Sequence, residues 1–186
     1  MKNFFTYGEK IFLRAVDIED SDFLAWCFNS PYMRETFFTN LPTNFSVQEE
    51  IIRKLYKNNT EYVPFIICDK QTEESIGITA FHRIDFVSRA AIFSIIIPDK
   101  DNWGKGFGKE ATKLMVDYGF NILNLNRIQL HVFAENKAAI SIYESVGFSK
   151  EGLLRQAMYH NNKYCDFYVM AILREDFYKS EKGHSV

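Results

Sequence analysis

The chain has 186 residues, enough for one domain with a buried core and short for two. Hydrophobic residues make up 47% and charged residues 25%, a globular balance that excludes a disordered or fibrous chain. The formal net charge of -2 gives no overall attraction to phosphate backbones or anionic lipid, so neither nucleic acid nor a membrane is expected as a partner.

No apolar run approaches the roughly 20 residues needed to cross a bilayer, and Met1 to Leu13 lack the apolar core of a signal peptide, which points to a cytoplasmic protein. Cys27, Cys68 and Cys165 are odd in number, far apart, and share no metal-ligand spacing with the histidines. They read as reduced core thiols, and no metal is expected. Hydrophobic patterning continues from Lys10 to about Phe177 with no linker or repeat, so residues 1–186 form a single domain with loose termini.

In chain order, Lys10 to Arg14 reads as the first strand. A helix opens near Asp17 to Asp22, with Phe23, Leu24, Cys27 and Phe28 at helical spacing. Asn29 to Phe45 is a long connection of the kind that often walls a binding site. Ser46 and Glu49 form a capping box for a helix whose Val47, Ile51 and Leu55 share a face. Val63–Cys68, Ile76–Ile84 and Ala90–Ile97 read as a three-stranded meander. The period then changes: Ala111, Leu114, Met115, Tyr118 and Ile122 fall at helical offsets, and Arg127–Phe133 returns to strand. Asn136 opens another helix, with Ala139, Ile142, Tyr143 and Val146 on one face and Gly147 at the left-handed C-terminal position. Phe148–Met158 and Tyr164–Leu173 make a final hairpin about the turn at His160 to Lys163. This order gives a mixed α/β sheet.

Trp103-Gly104-Lys105-Gly106-Phe107-Gly108-Lys109 follows the strand ending at Ile97-Pro98 and precedes an amphipathic helix. Glycines at alternate positions let amide N–H groups converge on one point, and the helix N-terminus behind them adds about half a positive charge, a cradle suited to a diphosphate. The same glycines could simply make a tight turn. The spacing is neither the Rossmann fingerprint nor a Walker loop. A second run, Asn136 to Phe148, carries Asn-x-x-Ala, Tyr143-Glu144 and Gly147-Phe148.

Together these two runs resemble the GNAT superfamily of acetyl-CoA-dependent N-acetyltransferases. Within it they resemble the branch holding the ribosomal-protein N-terminal acetyltransferases and the spermidine N-acetyltransferases. The resemblance implies a central twisted mixed sheet of about seven strands, helices on both faces, and strands four and five splayed. It implies acetyl-CoA as co-substrate. Backbone groups of Ile96 and Ile97 would pair with the pantetheine arm. Trp103, Gly104, Lys105, Gly106, Phe107 and Gly108 would hold the diphosphate with help from Lys109, and Asn136 would bond the cofactor further along or serve as a plain helix cap. The family often carries Gln or Arg where this chain has Trp103. Tyr143 is implied as the general acid for the leaving thiolate, its other reading being a core aromatic, and homo-oligomerisation stays open.

Substrate choice turns on removing a proton from the acceptor. A protein α-amine near pKa 8 costs about 1 kcal/mol to deprotonate at pH 7, and a polyamine nitrogen near 10.4 costs about 4 to 5 kcal/mol. Spermidine acetyltransferases place carboxylates on the strands equivalent to Ile76–Ile84 and Ala90–Ile97, where this chain has Ala80, His82 and Ile92. Asp85, Glu35 and Phe37 remain as candidate acceptor-binding residues, and His82 or a water as the base. The favoured expectation is therefore a peptide N-terminus or other small primary amine as acceptor. Spermidine or spermine is the alternative, and a catalytically idle CoA-binding module is the rival from another class.

Overall fold

The computed structural model describes residues 4–31, 33, 41–58, 61–160 and 162–182. Among these, eight strands form one sheet: β1 Phe4–Tyr7, β2 Ile11–Ala15, β3 Val63–Asp69, β4 Ser75–Asp85, β5 Ala90–Ile96, β6 Arg127–Phe133, β7 Ser149–His160 and β8 Lys163–Leu173. Their spatial order is β1-β2-β3-β4-β5-β6-β8-β7, antiparallel throughout except between β5 and β6. Five helices accompany them: α1 Ser21–Asn29, α2 Phe45–Asn58, α3 Phe107–Asp117, α4 Lys137–Val146 and α5 Arg174–Lys182.

Alternation along the strands sorts side chains onto two faces. Ile11, Leu13, Phe65 and Ile67 pack with Ala111, Met115 and Val116 of α3 and Ile140 of α4. Their neighbours in sequence, Phe12, Ile66 and Cys68, turn the other way onto Leu24 of α1 and Ile52 of α2. The sheet is thus covered on both sides, which explains the nearly continuous burial along β3 and β4.

Several elements differ from their sequence reading. The strand β1 lies ahead of the first one expected and makes the count eight. It is four residues long and largely exposed, with no alternation to mark it, and its hold comes from rings: Phe4 meets Phe12 edge-on at 5.0 Å and Phe5 lies 4.9 Å from Phe65. At α2 the side-chain cap comes from Asn44, whose Oδ1 accepts from the Val47 N–H at 3.0 Å, rather than from Ser46. The helix therefore buries Gln48, Ile52 and Leu55, while Val47 and Ile51 stay 44% and 48% exposed. The helix expected to run as far as Ile122 is α-helical only to Asp117 and finishes in a π turn, Tyr118–Ile122. In α4 the reading holds: Asn136 Oδ1 accepts from the Ala139 N–H, and Gly147 closes the helix at φ 107°. The three cysteines are buried, and among the described residues none forms a disulfide.

Candidate active site

The parallel pairing of β5 with β6 runs only from Ala90–Arg127 to Ile92–Gln129. Beyond Ile92 the two strands part, while β5 keeps its other neighbour, β4, as far as Ile96. Among the described residues the β5 edge from Phe93 onward therefore has no strand against it on the β6 side, a row of backbone groups able to take an added extended chain. This is the splay expected of strands four and five, displaced by one in the count because β1 precedes them.

A cavity of about 640 Å³ fills the gap. Its lining brings together residues from distant parts of the sequence: Ile96 and Ile97 from the open edge, the turn glycines, Asn136, Tyr143 and His82. Gly104 and Gly106 sit at φ 73° and 90°, left-handed values that a side chain would strain, so the turn depends on glycine at both. Phe107 begins α3 directly behind them. Lys109 also lines the cavity, whereas Lys105 does not: its side chain lies 5.9 Å from the Phe107 ring. Trp103 is half exposed, and its indole Nε1 donates to the Ile97 carbonyl at 2.8 Å. That bond fixes the loop to the strand end and occupies one of the two acceptor positions of the Ile97 carbonyl. Asn136 spends its side-chain oxygen on capping α4, so its amide NH₂ is what it can present to the cavity.

Tyr143 stands on α4 between Phe93 and Phe148, at ring distances of 6.3 and 5.9 Å, and its hydroxyl has no hydrogen-bond partner among the described residues. Desolvation pushes its phenol above the ordinary value, which holds the proton on oxygen through the neutral range. His82 also lines the cavity: its Nε2 lies 2.6 Å from Ser94 Oγ, the two residues standing diagonally across β4 and β5, and its imidazole lies tilted at 4.7 Å from the Tyr62 ring. Burial lowers the His82 pKa and so favours its neutral, proton-accepting form.

Asp85 is not in this cavity. It is exposed at the β4–β5 turn, where Oδ1 accepts from the N–H groups of Val87 and Ser88, which places it away from the acceptor role considered for it. Glu35 and Phe37 lie outside the described residues. Among the described lining residues none is Asp or Glu. Ser94, His131 and Phe133 line the cavity without having been singled out. The β6 run Arg-Ile-Gln-Leu-His-Val-Phe could have flagged the last two, since Gln129, His131 and Phe133 alternate with buried Ile128, Leu130 and Val132.

The family profile of an acetyltransferase (GNAT) domain matches residues 10–149. The chain belongs to the GNAT family. It is an acetyl-CoA-dependent N-acetyltransferase of the mixed α/β GNAT fold. A spermidine N(1)-acetyltransferase of Vibrio cholerae is 33% identical over 91% of this chain and 96% of its own length. The crystal structure of spermidine N-acetyltransferase from Vibrio cholerae, in complex with CoA and spermine, superposes with a TM-score of 0.85. It is 32% identical and covers 92% of this chain and 99% of that one. A putative ribosomal N-acetyltransferase of Bacillus subtilis is 25% identical over 91% of this GNAT chain and 94% of its own. Among the described residues no helix is long and apolar enough to cross a membrane.

Proposed function

We propose that this enzyme acetylates a primary amine of a polyamine, with spermidine and spermine as the acceptors to test first. The supporting observation is the likeness, over nearly the whole of both chains, to an enzyme whose structure holds CoA and spermine. That likeness reverses the order reached from sequence, where a peptide N-terminus stood ahead. The second reading, a peptide N-terminus or other small amine, keeps one observation in its favour: no carboxylate among the described residues lines the cavity to receive a polycation.

The residues present fit acetyl-CoA. The open edge at Ile96 and Ile97 can take the pantetheine amides. The turn from Trp103 to Gly108 can face a diphosphate with N–H groups, and Lys109 and the Asn136 amide stand beside the same cavity. Acetyl-CoA supplies the activated acetyl carbonyl and its leaving sulfur; the protein's part is to place groups and move protons. His82, kept neutral by burial, accepts a proton from the incoming amine directly or through Ser94 Oγ. Tyr143, kept protonated by burial, donates to the departing sulfur. Because the two groups stand apart as acceptor and donor, the amine can attack directly with no acyl-enzyme. The thiols of Cys27, Cys68 and Cys165 are buried, and none lines the cavity.

An acceptor screen tests this. Thiol release from acetyl-CoA is followed with spermidine, spermine and peptides bearing free N-termini, using wild type and Tyr143→Phe. A polyamine should give the highest kcat/KM, and the variant should lose about 100-fold or more in kcat with little change in the acetyl-CoA KM. Peptides turned over faster than both polyamines would move the assignment to the second reading. A variant with full kcat would remove Tyr143 as the acid.

A further inference from the structure

One cation close to the glycine turn belongs to neither of the two sequence runs that suggest the site. Lys10, in the turn just before β2 and 95 residues away in sequence, extends its Nζ to the Lys105 carbonyl at 2.9 Å. The same residue's backbone N–H donates to both carboxylate oxygens of Glu110, at 3.1 and 3.2 Å. Glu110, in the first turn of α3, in turn donates its own N–H to the Gly106 carbonyl at 3.0 Å. The turn between β1 and β2 is itself tied, Gly8 N–H to the Ile11 carbonyl and Lys70 Nζ to the Gly8 carbonyl. A Cβ on Gly8 would overlap the Glu110 carboxylate, so the hairpin lies directly on the helix start.

In a trans peptide the carbonyl and the following N–H point in opposite directions. With the Lys105 carbonyl held toward Lys10, the Gly106 N–H points the other way. Gly106 lines the cavity, and neither Lys10 nor Lys105 does. The ammonium therefore sits behind the peptide whose N–H faces the cavity, where it both fixes that orientation and polarises the N–H toward an anion. Without it, the Lys105–Gly106 peptide, which leads into the left-handed Gly106, has little to stop it turning its carbonyl inward, against phosphate.

We propose that Lys10 is a positioning residue for diphosphate binding, acting through the Lys105–Gly106 peptide, and that the β1–β2 hairpin is thereby a working part of the CoA site. The proposal rests on the reading that residues 103 to 108 hold the diphosphate. Calorimetric titration of wild type, Lys10→Met and Lys10→Arg with CoA and with pantetheine, which lacks the diphosphate, separates the two. Lys10→Met should weaken CoA by about tenfold and leave pantetheine within twofold, while Lys10→Arg, which can still donate to the carbonyl, should retain CoA within about threefold. Equal weakening of CoA and pantetheine, or CoA binding by Lys10→Met at the wild-type level, would overturn the role of Lys10. If Lys10→Met fails to fold, Lys10→Arg against Gly8→Ala, which displaces Glu110 but keeps the ammonium, decides it by the same ratio of CoA to pantetheine. A wild-type protein that binds pantetheine as tightly as CoA would instead remove the parent reading of the turn.

Discussion

Burial acts on Tyr143 and His82 of the cavity in opposite directions, because in each case it disfavours the charged form. The Tyr143 phenol is pushed up and the His82 imidazole is pushed down. At neutral pH this leaves a proton donor and a proton acceptor in one cavity without a charge on either. The His82 shift has a definite sign. Protonation costs more in the fold than in the open chain, so the stability from burying neutral imidazole is complete above the unfolded value of 6.5 and is lost as pH falls below it. Protonation of the folded-state imidazole, which falls below 6.5, would also remove the proposed base. The ratio of wild-type to His82→Gln kcat/KM should therefore be constant above pH 7 and fall toward one on the acid side of 6.5. Taking the ratio cancels the ionisation of the amine itself. A ratio flat across that range would leave His82 as a packing partner of Tyr62 and nothing more.

Among elements, α1 follows directly on a buried ion pair to the sheet. Arg14 on β2 grips the Asp20 carboxylate with both terminal nitrogens, at 2.7 and 2.6 Å, and Asp20 also accepts from the Asp17 N–H just before the helix. Both side chains are nearly enclosed. At the other end of α1 the chain reaches Met33, which lines the cavity. Removing one partner of such a pair strands the other charge, so Asp20→Ala should lower stability by about 3 kcal/mol, read as a shift in the urea midpoint at unchanged m-value. A loss below about 1 kcal/mol would mean that water reaches Arg14 and the pair is a surface one. Elements of this kind are partly written in local sequence. Helical spacing marked α3 and α4, Asn136 and Gly147 marked the ends of α4, and strand-like runs marked β3 to β6. What escaped was decided at long range. The strand β1 is held by rings from β2, β3 and the π turn, and α2 is capped by Asn44 and packs Ile52 against the sheet, with Gln48 buried and Val47 and Ile51 left exposed. In the site, the glycine turn, Asn136 and Tyr143 were visible because they cluster in two short runs. Ser94 needed the β4–β5 register, and Lys10 needed a contact across 95 residues.

At the scale of the whole molecule the parting of β5 from β6 interrupts the sheet between five strands on one side and three on the other. The two halves are joined there by three parallel residue pairs and by the helices packed across them. A ligand lying in the gap touches β5, the start of α3 and the face of α4 together, so its binding energy is added to the cooperative unfolding of the whole domain rather than to one loop. CoA at about 100 times its Kd should contribute about 2.7 kcal/mol. For a chain of this size each kcal/mol moves Tm by about 2 to 4 °C, so the expected rise is about 5 to 10 °C in a single transition. ATP at the same concentration offers phosphates but no pantetheine arm for the open edge, and it should move Tm by only about 1 °C. Equal shifts with ATP and CoA would mean that the glycine turn alone carries the affinity and that the gap between β5 and β6 is not where the ligand lies.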